Sequence, residues 1–330
     1  MKERVLITGA AGFIGSHVAV HLDDRYDVIA LVRMNKIGDL HRLNALGFYG
    51  TVVWHDLKSP ITASVANRIG PVDHIIHLGA ETHVDRSIED PVEFAFSNVI
   101  GTTNLLQFAR DVRHPLKTFI QFSTDEVFGP ADIGEYHLET SPYNSKNPYA
   151  ASKAGAEQMV VAFGHTYGLN TIVIRSMNAF GDMQHSEKFI PKIIRSVLLE
   201  ETIPIHSSPD LSKAGSRFYI HVDNISKGIQ FVIDHHDEDR IQRIGTKFYH
   251  LVGEKEVDNL QMATFISRFI GKSLKYDLVN FHASRPGHDL RYALFDNYLK
   301  RLGWTIPESF EASLERTVKW YLDNKEWLRV

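Results

Sequence analysis

The sequence predicts an α/β protein: a doubly wound parallel sheet joined to a smaller, mixed α/β domain in its C-terminal half. Three observations carry this. Short apolar runs alternate with helical patterns through the first half. A glycine-rich turn, Thr8-Gly9-Ala10-Ala11-Gly12-Phe13-Ile14-Gly15, separates the first apolar run from the first helical pattern. The alternating rhythm then stops after about Asn178.

Val5-Leu6-Ile7 reads as the first strand and Phe13 to Leu22 as the first helix. Val28 to Val32, Thr51 to Trp54, His74 to Leu78, Thr118 to Phe122 and Thr171 to Arg175 read as further strands. They are short, predominantly apolar runs interleaved with helical patterns, which suits a parallel sheet covered on both faces. Val99 to Val112 and Ala150 to Tyr167 have helical spacing. Beyond Asn178, Phe189 to Leu199 reads as a helix, followed by a polar stretch from Ser207 to Ser216 that holds Pro209 and Gly215. Arg217 to Val222 reads as a strand, Ile225 to Ile233 as a helix, and Phe310 to Leu328 as an amphipathic helix. The division expected is residues 1–180 for the first domain, with the chain returning to it around 217–240, and 181–330 for the second. No internal repeat is present. His235-His236 lies among Asp234, Asp237, Glu238 and Asp239, a solvated helix end rather than a metal site, and no metal is expected.

The 330 residues suffice for one large domain or two ordinary ones. The 36 basic and 40 acidic side chains leave a net charge of −4, too little for a broad grip on nucleic acid or an anionic membrane. The absence of cysteine excludes disulfides, thiolate nucleophiles and cysteine metal sites. The opening Met1-Lys2-Glu3-Arg4 lacks a secretory pattern, and no apolar run approaches the roughly 20 residues of a membrane span, so a cytoplasmic protein is expected.

The glycine turn points to a dinucleotide. Gly9 permits the tight turn, Gly12 lets backbone approach a pyrophosphate, and Gly15 allows close helix packing. Phe13 and Ile14 open the helix whose N-terminus faces the phosphates. The end of the second strand then selects the cofactor. An acidic residue there would bond the ribose 2′-hydroxyl of NAD; here Val32 is followed by Arg33, which suits the 2′-phosphate of NADP. The alternative is a surface arginine, with NAD bound without the acidic contact. Asp56 suits the adenine amino group or, equally, a loop cap.

Tyr149 and Lys153 are four apart on one helical face. A lysine charge beside the phenol, together with an oxidised nicotinamide, would lower its pKa and make it a base. Ser123-Thr124-Asp125-Glu126 follows the fifth strand, where ligands bind in such sheets. Adjacent carboxylates there would repel and raise the pKa of one; the alternative is an acidic helix start.

These residues, with His77 to Ser87, Pro148 to Gly155 and Arg285 to Tyr292, resemble the extended short-chain dehydrogenase/reductase family over nearly the whole chain. Within it the likeness is to nucleotide-sugar 4,6-dehydratases of the dTDP-glucose type, to which the Thr-Asp-Glu run is specific. The resemblance implies that Tyr149 takes the sugar O4 proton while hydride passes from C4 to the cofactor, with Thr124 bonding O4 and Lys153 holding the nicotinamide ribose. Glu126 would remove the C5 proton, and Asp125 would protonate the leaving C6 hydroxyl. It implies further cofactor contacts at Leu57, Leu78, Ala80, Thr82 and Ser97. For substrate it implies Thr82, Asn178, Lys188, Phe189, Pro204, His206, Arg217, Arg285 and His288. The chain departs from the family pattern at His206-Ser207, Lys255 and Ala179. The implied substrate is a nucleoside diphosphate hexose, dTDP-glucose first, with other bases and hexoses open. An epimerase or decarboxylase on the same scaffold, or a cofactor sensor without turnover, remain alternatives. A homodimer paired through the Val99–Val112 and Ala150–Tyr167 helices is implied, where Val160, Val161 and Phe163 fit interface or core.

Overall fold

The computed structural model describes residues 2–33, 40–112, 116–239, 242, 245–280 and 291–329. Its main sheet is built from β1 (Arg4–Thr8), β2 (Asp27–Val32), β3 (Thr51–Trp54), β4 (His74–His77), β5 (Thr118–Thr124), β6 (Thr171–Ser176) and β10 (Lys247–Leu251). These lie in the order β10-β6-β5-β4-β1-β2-β3, every neighbouring pair parallel. This is a doubly wound sheet. The chain winds outward from β1 to β3, then returns to β4 on the other side of β1. The crevice beyond the carboxyl ends of β1 and β4 is where such sheets bind ligands.

The two faces are covered differently. On one, the Phe13–Asp23 helix packs against the Val222–His235 helix, with Val18, Leu22, Ile225, Ile229 and Val232 in one buried cluster. On the other, Leu105 and Leu106 meet Val160 and Phe163 under β5 and β6. Val160 and Phe163 thus belong to this core, and Val161 is half-buried. The Val222–His235 helix and β10 are supplied by chain well beyond residue 180, so the sheet layers are interleaved with the second half of the sequence.

Smaller sheets complete the C-terminal half. β7 (Asn178–Phe180), β9 (Ser216–His221) and β11 (Glu256–Asp258) form one, and β8 (Ile203–Ser207) pairs in parallel with β12 (Tyr276–Asn280). They share a separate core of Ile193, Ile194, Val197, Ile205, Met262, Leu314 and Tyr321.

Two helices differ from the sequence pattern. The expected Val99–Val112 helix is a wide π-type turn over Ala95–Ile100 followed by an α-helix over Gly101–Asp111. The expected Phe310–Leu328 helix ends at Asp323, because Asn324 leaves helical geometry (φ −127, ψ 59), and Lys325–Leu328 is a short 3₁₀ turn. His235 stacks on Phe231 at 4.1 Å, and His236 bonds its own helix's carbonyls through Nδ1. Among the described residues, no helix is long and apolar enough to cross a membrane.

Candidate active site

A cleft of about 720 Å³ runs past the glycine turn and the carboxyl ends of the central strands. Gly9 adopts φ +67, and a Cβ there would stand 2.7 Å from the Gly79 backbone. A Cβ on Gly15 would stand 2.1 Å from the Gly9 carbonyl oxygen, so the turn closes only with glycine at both places. Gly12 N–H donates to that same oxygen at 2.8 Å. The Phe13–Asp23 helix has no side chain capping its first turn, which leaves its N-terminal N–H groups facing the cleft for an anion. A backbone cradle of this kind fits the pyrophosphate of a dinucleotide.

Thr8, at the end of β1, links the turn to β4: its hydroxyl meets His77 Nδ1 at 2.6 Å and accepts Gly79 N–H at 3.1 Å. His77 is buried and held neutral, its pKa pushed down to about 3 by burial. Leu78, Ala80, Thr82 and Ser97 line the cleft here, and Val32, Arg33, Asp56 and Leu57 line it beyond β2 and β3. The Arg33 guanidinium is ion-paired with Glu81.

The catalytic candidates converge on the same cleft. Thr124 ends β5 and caps the short turn Asp125–Phe128, its oxygen accepting Glu126 N–H at 3.3 Å. Its hydroxyl donates to Asp125 Oδ1 at 3.0 Å. Asp125 Oδ2 is buried and has no hydrogen-bond partner among the described residues. Burial first, and the neighbouring Glu126 charge second, raise the Asp125 carboxyl to about 7. Glu126 Oε2 accepts from Asn147 Nδ2 at 3.0 Å. Asn147 also caps the next helix through Ala150 N–H at 2.8 Å, and Pro148 occupies that helix's first position. The helix so started, Pro148–Tyr167, presents Tyr149 and Lys153 to the cleft.

Here the expected electrostatics are corrected. The Tyr149 phenol lies far above its ordinary value, raised by burial and then by the Glu126 and Asp125 charges; a hydrogen bond with Thr124 opposes the rise. Lys153, itself pulled down to about 8 by burial, donates its Nζ to the Phe122 carbonyl at 2.7 Å, and the rise at Tyr149 is that of the chain with no cofactor charge beside it.

Behind the cleft lies a buried ionic network that the sequence did not announce. Glu157, one turn past Lys153, accepts from Arg175 Nε at 2.9 Å and from Tyr143 Oη at 2.9 Å, and Ser123 Oγ donates to its other oxygen. Arg175 is sandwiched between Phe128 and Phe248, at 4.6 and 4.7 Å.

Of the residues expected to hold substrate, Thr82, Thr124, Asn178, Lys188 and Phe189 line the cleft. Pro204, His206 and Arg217 do not. Pro204 and His206 lie in β8, zipped to β12, and Arg217 stacks over Tyr292 at 4.8 Å on β9. Arg217 nonetheless lies close enough for its charge to oppose the rise at Asp125. Lys255 pairs with Glu311 outside the cleft. Arg285 and His288 lie outside the described residues. The cleft also takes in Gln184, His185 and Ser186, and, from distant segments, His41, Arg42, Trp327 and Arg329, with Trp327 stacked on His41 at 4.7 Å. The first three were legible as the span between Asn178 and Lys188; the others carried no local signal.

Fold and cleft together place the chain in the doubly wound class, with a glycine-lined cleft shaped for a dinucleotide. The chain belongs to the NAD dependent epimerase/dehydratase family, whose model matches residues 5–246. It is 32% identical to the dTDP-glucose 4,6-dehydratase of Neisseria meningitidis, covering 98% of this chain and 95% of that protein. It is 33% identical to a trifunctional UDP-glucose 4,6-dehydratase/UDP-4-keto-6-deoxy-D-glucose 3,5-epimerase/UDP-4-keto-L-rhamnose-reductase of Arabidopsis thaliana, and spans about half (48%) of that protein's length. The structure of a Streptomyces venezuelae dTDP-glucose 4,6-dehydratase, solved with NAD bound, superposes with a TM-score of 0.85 at 34% identity, covering 98% of each chain.

Proposed function

We propose that the protein is a nucleoside diphosphate hexose 4,6-dehydratase, with dTDP-glucose as the first substrate to test. The supporting observation is Asp125: a buried carboxyl with one oxygen bonded to Thr124 and the other buried without a partner among the described residues, raised to about 7 beside a second carboxylate. A plain alcohol dehydrogenation or a C4 epimerisation needs no such pair, whereas elimination of water needs one acid and one base. A bound dinucleotide would supply a hydride acceptor for C4 and a hydride donor for C6. Tyr149, bonded to Thr124, would take the O4 proton as its phenolate, a form that the positive nicotinamide of a bound oxidised dinucleotide would favour, as C4 becomes a ketone, which acidifies C5. Glu126 removes the C5 proton. Asp125 gives its proton to the C6 oxygen, the C6–O bond breaks and water leaves. A proton returned to C5 completes the 4-keto-6-deoxy product, and the sugar loses one water overall. Lys153 orients the ribose beside the nicotinamide.

NAD is the cofactor that Arg33 supports once its ion pair with Glu81 is considered; the Val32-Arg33 sequence by itself favours NADP. The solved relative carries NAD. Asn178, Lys188 and Phe189 would receive the nucleoside diphosphate. Residues 1–180, with Val222–His235 and Lys247–Leu251 returning to the sheet, would form the dinucleotide unit, and most of 181–330 the substrate unit. A homodimer is proposed on the stripe Val92, Phe96 and Ile100, which is spaced i, i+4, i+8 and is 61, 52 and 42% exposed. Glu126→Gln should abolish exchange of the C5 proton with solvent while folding normally; retained exchange removes Glu126 as the base. The wild type should convert dTDP-glucose without net build-up of reduced cofactor, and stoichiometric reduction would make it a simple dehydrogenase.

A further inference from the structure

Arg33 follows Val32 at the end of β2, where doubly wound folds read the 2′ substituent of the adenosine ribose. An arginine free at that place would attract a phosphate. This one has a partner, since its guanidinium is ion-paired with Glu81. Glu81 is itself fixed from two sides by Asn98. Its N–H donates to Asn98 Oδ1 at 2.8 Å, and its carbonyl accepts from Asn98 Nδ2 at 3.0 Å. Asn98 is buried inside the π-type turn Ala95–Ile100 and also donates to Ser152 Oγ at 2.8 Å, on the helix that carries Tyr149 and Lys153.

The surroundings reinforce the pair. Asp56 and Glu93 also act on Arg33. Lys58 is the other cation here, and it is bonded to Glu93 at 2.9 Å and lies 3.9 Å from Asp56. Three carboxylates therefore face two cations among the described residues at this end of the cleft. A ribose hydroxyl is indifferent to that balance. A 2′-phosphate, carrying between one and two negative charges, would have to displace Glu81 from Arg33 or sit beside it unpaired.

We propose that Glu81 is a specificity-determining residue, setting the preference for NAD over NADP by keeping Arg33 occupied. This rests on the dinucleotide reading of the cleft. It also explains why Arg33 alone misleads: the arginine is read against a counter-ion that arrives from the β4 loop, 48 positions later. Glu81→Gln is the informative change, because the Asn98 clamp grips the backbone and should survive it.

The test measures the Kd of NAD and of NADP by calorimetry, on protein stripped of bound nucleotide, for wild type, Glu81→Gln and Glu81→Gln/Arg33→Ala. Wild type should favour NAD. Glu81→Gln should tighten NADP about tenfold while moving NAD less than about twofold, and the gain should shrink at high salt, as expected for a half-exposed charge site. Adding Arg33→Ala should erase the gain, which shows that the freed guanidinium produces it. An unchanged NADP-to-NAD ratio in Glu81→Gln overturns the proposal while leaving the dinucleotide site intact. A wild type that prefers NADP overturns the proposal and the choice of NAD together. A wild type that binds neither overturns the dinucleotide reading itself. Glu81→Asp, which keeps the charge, should retain the NAD preference and separates the charge effect from any loss of folding.

Discussion

Asp125 offers a prediction in which catalysis and stability are tied to one proton. Its carboxyl stands at about 7 in the folded chain, against an ordinary 3.8. The sign follows from which state holds more protons. Between pH 4 and 7 the folded chain keeps the proton that the unfolded chain has lost, so stability falls as pH rises across that window and levels off above it. From pH 5 to pH 8 the folded state should therefore lose about 2 × 1.36, or roughly 2.7 kcal/mol, on account of this one group. Asp125→Asn removes the titration and keeps the shape. Any constant difference in how well the amide and the acid are satisfied cancels in the difference between two pH values. Urea unfolding at pH 5 and pH 8, with NAD saturating in every sample, should show the variant gaining about 2–3 kcal/mol on the wild type between the two conditions. The same variant should still exchange hydride at C4 and fail to eliminate water. Identical pH slopes for variant and wild type would mean that Asp125 is an ordinary ionised carboxylate, and the assignment of the acid would fall with it.

Three further outcomes follow from the geometry. Gly15→Ala places a methyl group 2.1 Å from the Gly9 oxygen, so the turn must open; a cost of about 1–3 kcal/mol, seen as a Kd for NAD weakened roughly tenfold or more with the substrate site intact, is expected. An unchanged Kd would mean that the cradle does not hold the pyrophosphate. The Tyr149 phenol is held neutral in the free chain by burial and two nearby carboxyls. No tyrosinate absorbance should therefore appear near neutral pH without NAD; binding NAD, whose nicotinamide is positively charged, should lower the titration, and the signal should vanish in Tyr149→Phe; its presence without NAD would contradict the burial argument. Glu157→Gln strands the Arg175 charge in a dry site, and chemical denaturation should register a loss of about 3–5 kcal/mol; a loss under about 1 would show the site to be wetter than its burial implies.

Much of the fold was legible in the sequence because burial on both faces makes parallel strands predominantly apolar, as in Val28 to Val32 and Ile172 to Ile174. The glycine turn was legible because Gly9 and Gly15 answer to backbone sterics, which a sequence states directly. β10 was missed because Lys247–Leu251 pairs with β6, more than 70 residues earlier, and nothing in its own five residues says so. β8 and β12 escaped for the same reason. The helical periodicity of Phe310 to Leu328 runs on through Asn324, whose backbone nevertheless turns away; that turn carries Trp327 and Arg329 into the cleft wall. Charge was the least legible quantity. Arg33 and Lys153 were each read as lone cations, and each is governed by a partner or a desolvation that only the folded chain supplies.

The buried network explains how the cleft can hold a carboxyl at so unfavourable a place. Asp125 is pressed into a dry site beside another carboxylate, and an unrestrained turn would swing it into water. Ser123, two residues before it, is bonded to Glu157. Glu157 stands on the helix of Tyr149 and Lys153, at positions i, i+4 and i+8, so all three side chains share one face. Arg175 on β6 grips Glu157 through Nε and Nη2 and reaches the Glu139 carbonyl with Nη1, at 3.0 Å. β5, β6 and the helix are thus fastened at one point directly behind the reacting groups. A buried ion pair of this kind adds little net stability compared with a well-packed apolar core. What it adds is position: apolar side chains can slide by a fraction of an ångström at small cost, whereas a charge bonded by three donors cannot. The raised carboxyl of Asp125 and the bonded anchor behind it work together: the first sets the protonation state of the proposed acid and the second its position.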